Sequence, residues 1–187
     1  MRIAIIGHSG SGKSTLARNL GKALDTDVMH MDKVHFAANW QVRAKEEKER
    51  MVKEFLDSHT SWIIDGNYTK LEYQRRMDEA ELIVLLLFSR AASLRRVYRR
   101  YRMYKGRSRP DMTIGCQEKL DAKFIKWVLF GGRSKEKMAD YLDIMERYGE
   151  KTLVAKNQKQ LDEIYKKLAA HKFADEENVI GVKTYKI

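Results

Sequence analysis

Residues Gly7–Ser14 read G-H-S-G-S-G-K-S and match the phosphate-binding pattern G-x-x-x-x-G-K-[ST]. The glycines let the backbone turn tightly, so that consecutive N–H groups converge on phosphate oxygens, and a following helix adds the positive end of its dipole. Lys13 can then bridge the β- and γ-phosphates, and the Ser14 hydroxyl can bind Mg²⁺. The segment predicts a nucleoside triphosphate site made by Gly7, His8, Ser9, Gly10, Ser11, Gly12, Lys13, Ser14 and Thr15.

Two aspartates follow apolar runs and are candidates for the rest of the site. Asp65 closes Trp62-Ile63-Ile64, where its carboxylate could reach Mg²⁺ or the waters of the ion; the alternative is a turn aspartate before Gly66. Asp32 ends a weaker predicted strand at 28–31, near the mouth of the same sheet. It could bind or deprotonate an acceptor hydroxyl, or it could cap the segment that follows.

Most of the net charge of +11 lies in one segment. Residues 89–109 contain eight arginines, one lysine and no acidic residue, which leaves the rest of the chain almost neutral. Arginine is a bidentate phosphate ligand of fixed charge, so the segment is typical of a lid that closes on phosphates. Arg96, Arg100 and Arg109 are its candidate catalytic residues, together with Lys13 and Asp32. A solvated charged helix is the alternative, although such a helix normally mixes both signs.

The elements that must position these residues alternate along the chain. Apolar runs predict strands at 2–6, 28–31, 62–64, 82–88 and 152–155, with 82–88, the most apolar run, as the central strand. Helical spacing predicts helices at 13–24, about 42–57, across the arginine segment, about 117–130, about 138–148 and after Asn157. The alternation indicates a parallel α/β sheet with helices on both faces.

Composition excludes several classes of protein. With 187 residues, 43% of them hydrophobic, the chain can bury the core of one domain. No apolar stretch approaches the roughly 20 residues that span a bilayer, so we expect no membrane partner. The single cysteine, Cys116, excludes an intramolecular disulfide and fits a reducing cytoplasm.

The motifs as a set resemble adenylate-kinase-like P-loop kinases and, within them, the small DNA topology modulation proteins. The matching residues are Gly7–Ser14, then Asp32, His35 and Trp40, then 62–68 (W-I-I-D-G-N-Y), then 107–112 (R-S-R-P-D-M) with Gly115, Cys116 and Glu118, and finally Phe124 and Trp127. The match extends over roughly residues 1–170.

This resemblance implies a P-loop NTPase three-layer sandwich: a five-stranded parallel sheet with helices on both faces and an inserted arginine-rich helical lid. As one domain, the chain would have a core at about 1–90 and 150–171, an acceptor-binding arm at about 33–60 and a lid at about 95–135. ATP with Mg²⁺ is the implied cofactor, with Ser14 and Asp65 at the metal. Acceptor contacts are implied for Asp32, His35, Asp65, Asn67 and Arg90. In one departure, these relatives often carry Asp-x-Pro-Arg at the end of the central strand, whereas residues 87–90 read L-F-S-R and lack that acid, so Asp65 becomes the better candidate for the metal role.

Two functions follow from these features. The first is a phosphotransferase that moves the γ-phosphoryl group of ATP to a small acceptor: a nucleotide, a nucleoside or a small metabolite. The second is a nucleotide-dependent, nucleic-acid-binding regulator that affects DNA topology. Its basic helix would contact backbone phosphates while Tyr98, Tyr101 and Tyr104 stack on bases. No helix-turn-helix, zinc-finger or RNP-type pattern accompanies it, and the enzyme-like layout favours the kinase.

Overall fold

The computed structural model describes residues 1–170. Residues 171–187, which include the last residue of the predicted core, lie outside the described part. The strands are β1 (Arg2–Gly7), β2 (Val28–His30), β3 (Trp62–Asp65), β4 (Leu82–Leu86) and β5 (Thr152–Ala155). The helices are α1 (Lys13–Leu24), α2 (Met31–His35), α3 (Lys45–Ser58), α4 (Tyr73–Glu79), α5 (Arg90–Tyr104), α6 (Ala122–Leu129), α7 (Lys135–Arg147) and α8 (Gln158–Ala170).

All five strands are parallel, in the order β2-β3-β1-β4-β5. The central strand is therefore β1, and the prediction that 82–88 is central is wrong. β4 is fully buried because it pairs with β1 on one side and β5 on the other, and helices cover both faces of the sheet. β3, which lies between β2 and β1, is fully buried as well. A continuous apolar run indicates a strand in the interior of the sheet, but it does not identify which interior strand is central.

Side chains alternate between two cores, one on each face of the sheet. Ile3 and Ile5 of β1 pack with α1 and α8, whereas Ala4 and Ile6 pack with α2, α3, α4 and α7. The parallel sheet is thus covered on both sides, as the sequence predicts. The result is a three-layer α/β fold in which the carboxyl ends of the parallel strands β1, β2 and β3 lie at one edge of the sheet.

Helix α4 was not predicted from the sequence. It begins after a left-handed residue, Glu72, and contains Arg76, whose side chain is 1% exposed. Arg76 donates hydrogen bonds to the carbonyl oxygens of Leu71 (3.1 Å), Gly66 (3.1 Å) and Tyr68 (2.9 Å). One buried guanidinium therefore holds the loop that follows β3.

The arginine-rich helix α5 begins at an N-cap, Ser89, whose hydroxyl accepts from the backbone N–H of Ala92. Residues 105–121, between α5 and α6, form an irregular segment with isolated bridges between Lys105 and Glu118 and between Ser108 and Gln117. Within residues 1–170, no helix has both the length and the apolarity needed to span a membrane.

Candidate active site

The loop between β1 and α1 requires glycine at both ends. Gly7 has φ +136°, and a Cβ there would lie 2.3 Å from the carbonyl oxygen of Leu86 in β4. Gly12 has φ +100° at the N-cap of α1, and a Cβ there would lie 2.6 Å from Nη1 of Arg96. The motif glycines thus let the chain pass close to β4 and α5 before the helix begins.

Lys13, the first residue of α1, folds back over this loop. Its Nζ donates to the carbonyl oxygens of Gly7 (3.1 Å) and His8 (3.0 Å). Burial lowers the pKa of Lys13, and the carboxylates of Asp32 and Asp65 oppose that effect. The ammonium group is therefore fixed beside the loop, where incoming phosphate oxygens could take over its hydrogen bonds.

Asp65 lies between Ser14 and a histidine that was not predicted as its partner. The Ser14 hydroxyl donates to Asp65 Oδ2 at 2.7 Å, and His30 Nδ1 is hydrogen-bonded to Asp65 Oδ1. His30 and Asp65 are register partners at the ends of β2 and β3, and both are buried. His30 was not singled out from the sequence, although the parallel pairing of two strands that end together was a signal for this contact.

The Ser14–Asp65 pair suits Mg²⁺. A hydroxyl and a carboxylate oxygen are the hard ligands that this ion takes, and Mg²⁺ normally completes its shell with water and phosphate oxygens. Within residues 1–170, no group of three or more His, Cys, Asp or Glu side chains could hold a metal ion. The donor set therefore fits an ion that arrives with a phosphorylated ligand.

Asp32 lies in the first turn of α2, not at the end of β2 as predicted, because the strand ends at His30 and the helix starts at Met31. Tyr68 donates from its hydroxyl to Asp32 Oδ1 at 2.7 Å. Burial, followed by the charge of Asp32, raises the pKa of Tyr68, so the phenol stays protonated and keeps donating.

These groups open into one cavity of about 1510 Å³ between the loop, α5 and the end of β5. Its charged lining comprises ten basic and three acidic residues: Lys13, Arg18, Arg95, Arg96, Arg99, Arg100, Arg102, Arg109, Lys137 and Lys156, with Asp32, Asp65 and Asp111. Such an excess of fixed positive charge favours an anionic ligand.

Arg96 reaches the phosphate loop directly. Its Nη1 donates to the carbonyl oxygen of Ser11 at 2.9 Å, and its Nη2 contacts Gln158. The guanidinium carbon lies 4.1 Å from the ring centroid of Phe88, a cation–π distance. Arg96 is thus in place beside the loop without any movement of α5.

Arg100 and Arg109 are held by acidic residues that were not predicted as site residues. Glu118, 5% exposed, accepts ion pairs from Arg100 (2.7 Å) and Arg109 (2.8 Å). Asp111 pairs with Arg109 at 3.0 Å and with Arg18 of α1 at 3.5 Å. Both arginines line the cavity and are members of an ion-pair network in which Arg109, Asp111 and Glu118 are buried and Arg100 is partly exposed.

Two residues predicted as acceptor contacts, His35 and Arg90, do not line the cavity. Arg90 is exposed at the start of α5, and its Nε donates to the carbonyl oxygen of Leu129 at 2.7 Å, toward α6. His35 packs instead against the rings of Phe36 and Tyr68, with centroids 4.5 and 5.0 Å away.

His8 and Asn67 turn toward the protein. His8 is 3% exposed and meets the ring of Tyr141 edge-on at 5.4 Å, so its side chain does not line the cavity. Burial, with the nearby charges of Arg133, Lys13 and Arg90, lowers the pKa of His8 to about 4. Asn67 lines the cavity, but its amide is hydrogen-bonded to Gly7 and Tyr141.

No protein-family model matches the chain, and no curated protein sequence does either. The DNA topology modulation family therefore rests on the motif resemblance alone. Among solved structures, a shikimate kinase from Acinetobacter baumannii in complex with shikimate aligns over 92% of both chains, with 17% identity and a TM-score of 0.48. A gluconokinase from Sinorhizobium meliloti covers 90% of this chain and 89% of its own, with 17% identity and a TM-score of 0.48. TT1252 from Thermus thermophilus covers 91% and 97%, with 14% identity and a TM-score of 0.49. Similarities this distant do not indicate the substrate of this protein.

Proposed function

We propose that the protein is an ATP-dependent phosphotransferase that moves the γ-phosphoryl group to a small acceptor carrying a hydroxyl or phosphate oxygen. The observation that supports this most is the convergence of three parts at one cavity: the glycine loop with Lys13, the Ser14–Asp65 pair, and Asp32 from a separate element. Phosphoryl transfer needs positioning and charge neutralisation more than covalent chemistry from the protein, and these parts supply both.

In this proposal the loop N–H groups and Lys13 hold the β- and γ-phosphates, while Ser14 and Asp65 orient the hydrated Mg²⁺. When bound, Mg²⁺ neutralises charge on the phosphate oxygens. Asp32 orients the acceptor, with Tyr68 fixing one of its carboxylate oxygens, and receives the proton of an acceptor hydroxyl. The acceptor oxygen bonds to the γ-phosphorus, the bond from that phosphorus to the β–γ bridging oxygen breaks, and ADP leaves.

The arginine network would act on the charge that develops during transfer. Arg100 and Arg109 line the same cavity as Lys13, and their charges lower the pKa of its ammonium group. Because Glu118 already holds both guanidinium groups, little reorganisation is needed when a triphosphate binds. The irregular segment 105–121 would serve as the lid that carries Arg109.

One observation favours the second candidate, a nucleic-acid-binding regulator. Tyr98 is 53% exposed and lies among the exposed Arg95, Arg99 and Arg102 at the cavity. An exposed aromatic ring between arginines is an arrangement that can stack on a base. Measurement of kcat and of the salt dependence of DNA binding in the Arg100→Ala variant distinguishes the regulator from the kinase.

An acceptor screen tests the proposal. The protein is incubated with Mg-ATP and, in turn, nucleoside monophosphates, nucleosides and small hydroxylated metabolites, and ADP formation is measured above the acceptor-free rate. We expect one class to raise ADP formation at least tenfold, and we expect the Lys13→Ala variant to lose that increase. A wild-type protein that does not bind ATP would refute the proposal, as would ADP formation that no acceptor class raises.

A further inference from the structure

Backbone pairing between β1 and β3 ends at Ile5, two residues before β1 itself ends at Gly7. The last register pair is Ile5 with Asp65, and the last backbone bond runs from the Gly66 N–H to the Ile5 carbonyl oxygen at 3.0 Å. On the other side, β1 continues to pair with β4 as far as Gly7 with Leu86. The peptide groups of Gly7 that face β3 therefore have no strand partner at the point where the phosphate loop begins.

The side chain of Asn67 takes the place of the missing strand. The Gly7 N–H donates to Asn67 Oδ1 at 2.9 Å, and Asn67 Nδ2 donates back to the Gly7 carbonyl oxygen at 3.0 Å. A carboxamide carries the same donor and acceptor as a peptide group, so this reciprocal pair extends the sheet by one more rung. A buried backbone group without a partner costs stability, and Asn67 removes that cost at Gly7.

The same carbonyl oxygen is shared with Lys13, whose Nζ donates to it at 3.1 Å. The position of Asn67 thus helps to set the position of the carbonyl that holds the ammonium group. Asn67 is itself fixed from two sides. Its second amide hydrogen reaches the hydroxyl oxygen of Tyr141 in α7 at 2.9 Å, and Arg76 holds the flanking carbonyls of Gly66 and Tyr68.

We infer that Asn67 is a positioning residue for the phosphate loop, and that Tyr141 orients it. This replaces the acceptor contact that the sequence resemblance implies for Asn67. The inference rests on the proposed function in one respect, namely that the loop binds a nucleoside triphosphate. Tyr141 is 3% exposed and its ring also contacts the ring of His8. Helix α7 therefore contacts the loop directly at His8 and, through Asn67, at Gly7.

The chain offers a matched control for this pair. Gln74 donates from Nε2 to the hydroxyl of Tyr148 at 2.6 Å, an amide–tyrosine pair of the same kind that does not line the cavity. The experiment measures the dissociation constant of Mg-ATP by calorimetry, together with the unfolding temperature, in Asn67→Leu, Tyr141→Phe, Gln74→Leu and Tyr148→Phe. Leucine has the same branched side-chain shape and number of heavy atoms as asparagine, and it adds no charge that would itself repel a triphosphate.

We expect Asn67→Leu to raise the Kd for Mg-ATP about tenfold, and Tyr141→Phe to raise it about threefold. The two control variants should stay within about twofold of the wild type. Since Tyr141 acts through Asn67, the double variant should bind no more weakly than Asn67→Leu alone. A merely structural role would instead lower the unfolding temperature and leave the two effects on Kd additive.

An unchanged Kd in a folded Asn67→Leu variant would overturn the inference and leave the proposed function standing. If Asn67→Leu does not fold, an unchanged Kd in Tyr141→Phe overturns it in the same way. A wild-type protein that does not bind Mg-ATP would refute the proposed function, and this inference with it.

Discussion

The hydroxyl of Ser14 donates a 2.7 Å hydrogen bond to a carboxylate oxygen of Asp65, which joins the first turn of α1 to the end of β3. The other oxygen of the same carboxylate is held by His30, at the end of the neighbouring strand β2. Three elements therefore fix one oxygen-rich position beside Lys13. In the proposed function, this is the position where Mg²⁺ would find its ligands already oriented.

The first prediction concerns this pair. Asp65→Asn should raise the Mg²⁺ concentration that gives half-maximal activity by about tenfold or more, because the carboxylate is lost while the volume is kept. His30→Gln should shift the same curve less, since it frees Asp65 without removing it. Titration of activity against Mg²⁺ at saturating ATP measures both. Asp78→Asn, an exposed carboxylate that does not line the cavity, is the control.

An Asp65→Asn variant with a lower unfolding temperature and an unshifted Mg²⁺ curve would favour the turn-aspartate interpretation instead. Ser14→Ala supplies a second check, because removal of the hydroxyl should move the same curve in the same direction.

The second prediction concerns Lys13. Lys13→Ala should lower kcat/KM for ATP by at least about 100-fold, since it removes the one ammonium group held over the loop. Lys22→Ala, at the exposed far end of the same helix, should leave kcat/KM unchanged. Steady-state kinetics measure both. Near-wild-type ATP binding and turnover in a folded Lys13→Ala variant would contradict the role of the loop.

The sequence predicts the fold and the phosphate loop well, because both rest on local signals. Five apolar runs, each bounded by polar residues, correspond to the five strands. The loop is a contiguous motif that needs glycine at Gly7 and Gly12 for steric reasons visible in the structure. Strand order is not local, which is why apolarity alone misplaced β4 at the centre.

Parts of the candidate site depend on side-chain pairing between distant segments, and sequence spacing does not encode such pairing. Asn67 and Gly7 are sixty positions apart, and the amide faces the loop because β3 stops pairing there. The ion pairs of Arg100 and Arg109 with Glu118 were likewise not predicted. The missed helix α4 is short, and its buried Arg76 resembles a surface charge in the sequence.

The third prediction is a pH dependence of stability that arises from His8. Its pKa is lowered from 6.5 to about 4 in the folded protein, because it is buried and faces Arg133, Lys13 and Arg90. Between those two pH values the unfolded chain binds more protons than the folded chain, so stability falls as the pH drops from 6.5 toward 4. The contribution of this one group is about 3 kcal/mol at most.

His8→Gln should therefore flatten the stability profile across pH 4–6.5 relative to wild type and leave it parallel above pH 7. Urea unfolding at half-unit pH intervals measures the difference, which cancels the carboxylates common to both proteins. Two profiles that run parallel across the whole window would show that His8 protonates freely in the folded state.

The fourth prediction concerns Asp32. Asp32→Asn should lower acceptor-dependent turnover by about 100-fold or more while the Kd for ATP changes less than about threefold, because the carboxylate is proposed to face the acceptor. Tyr68→Phe, which removes the hydrogen bond to Asp32, should have the same sign and a smaller effect. Kinetics with the best acceptor from the screen, alongside ATP calorimetry, measure both. Equal losses of ATP affinity and turnover that follow the unfolding temperature would favour a capping role.

The last prediction uses Arg100 to separate the kinase from the nucleic-acid regulator. In the kinase, Arg100 lines the same cavity as Lys13 and stabilises charge that develops during transfer, so Arg100→Ala should lower kcat by about 100-fold or more and weaken ATP binding far less. Arg147→Ala, an exposed arginine of α7 that does not line the cavity, should change neither. Glu118→Gln should give an intermediate loss of kcat, because it loosens both Arg100 and Arg109.

In the regulator, the arginines would neutralise backbone phosphates one at a time. The slope of log affinity for duplex DNA against log salt would then fall by about one unit in Arg100→Ala, with turnover unchanged. Both quantities are measured on the same variant near physiological salt. A loss of kcat with negligible DNA affinity supports the kinase, whereas intact turnover with a flattened salt slope would refute it.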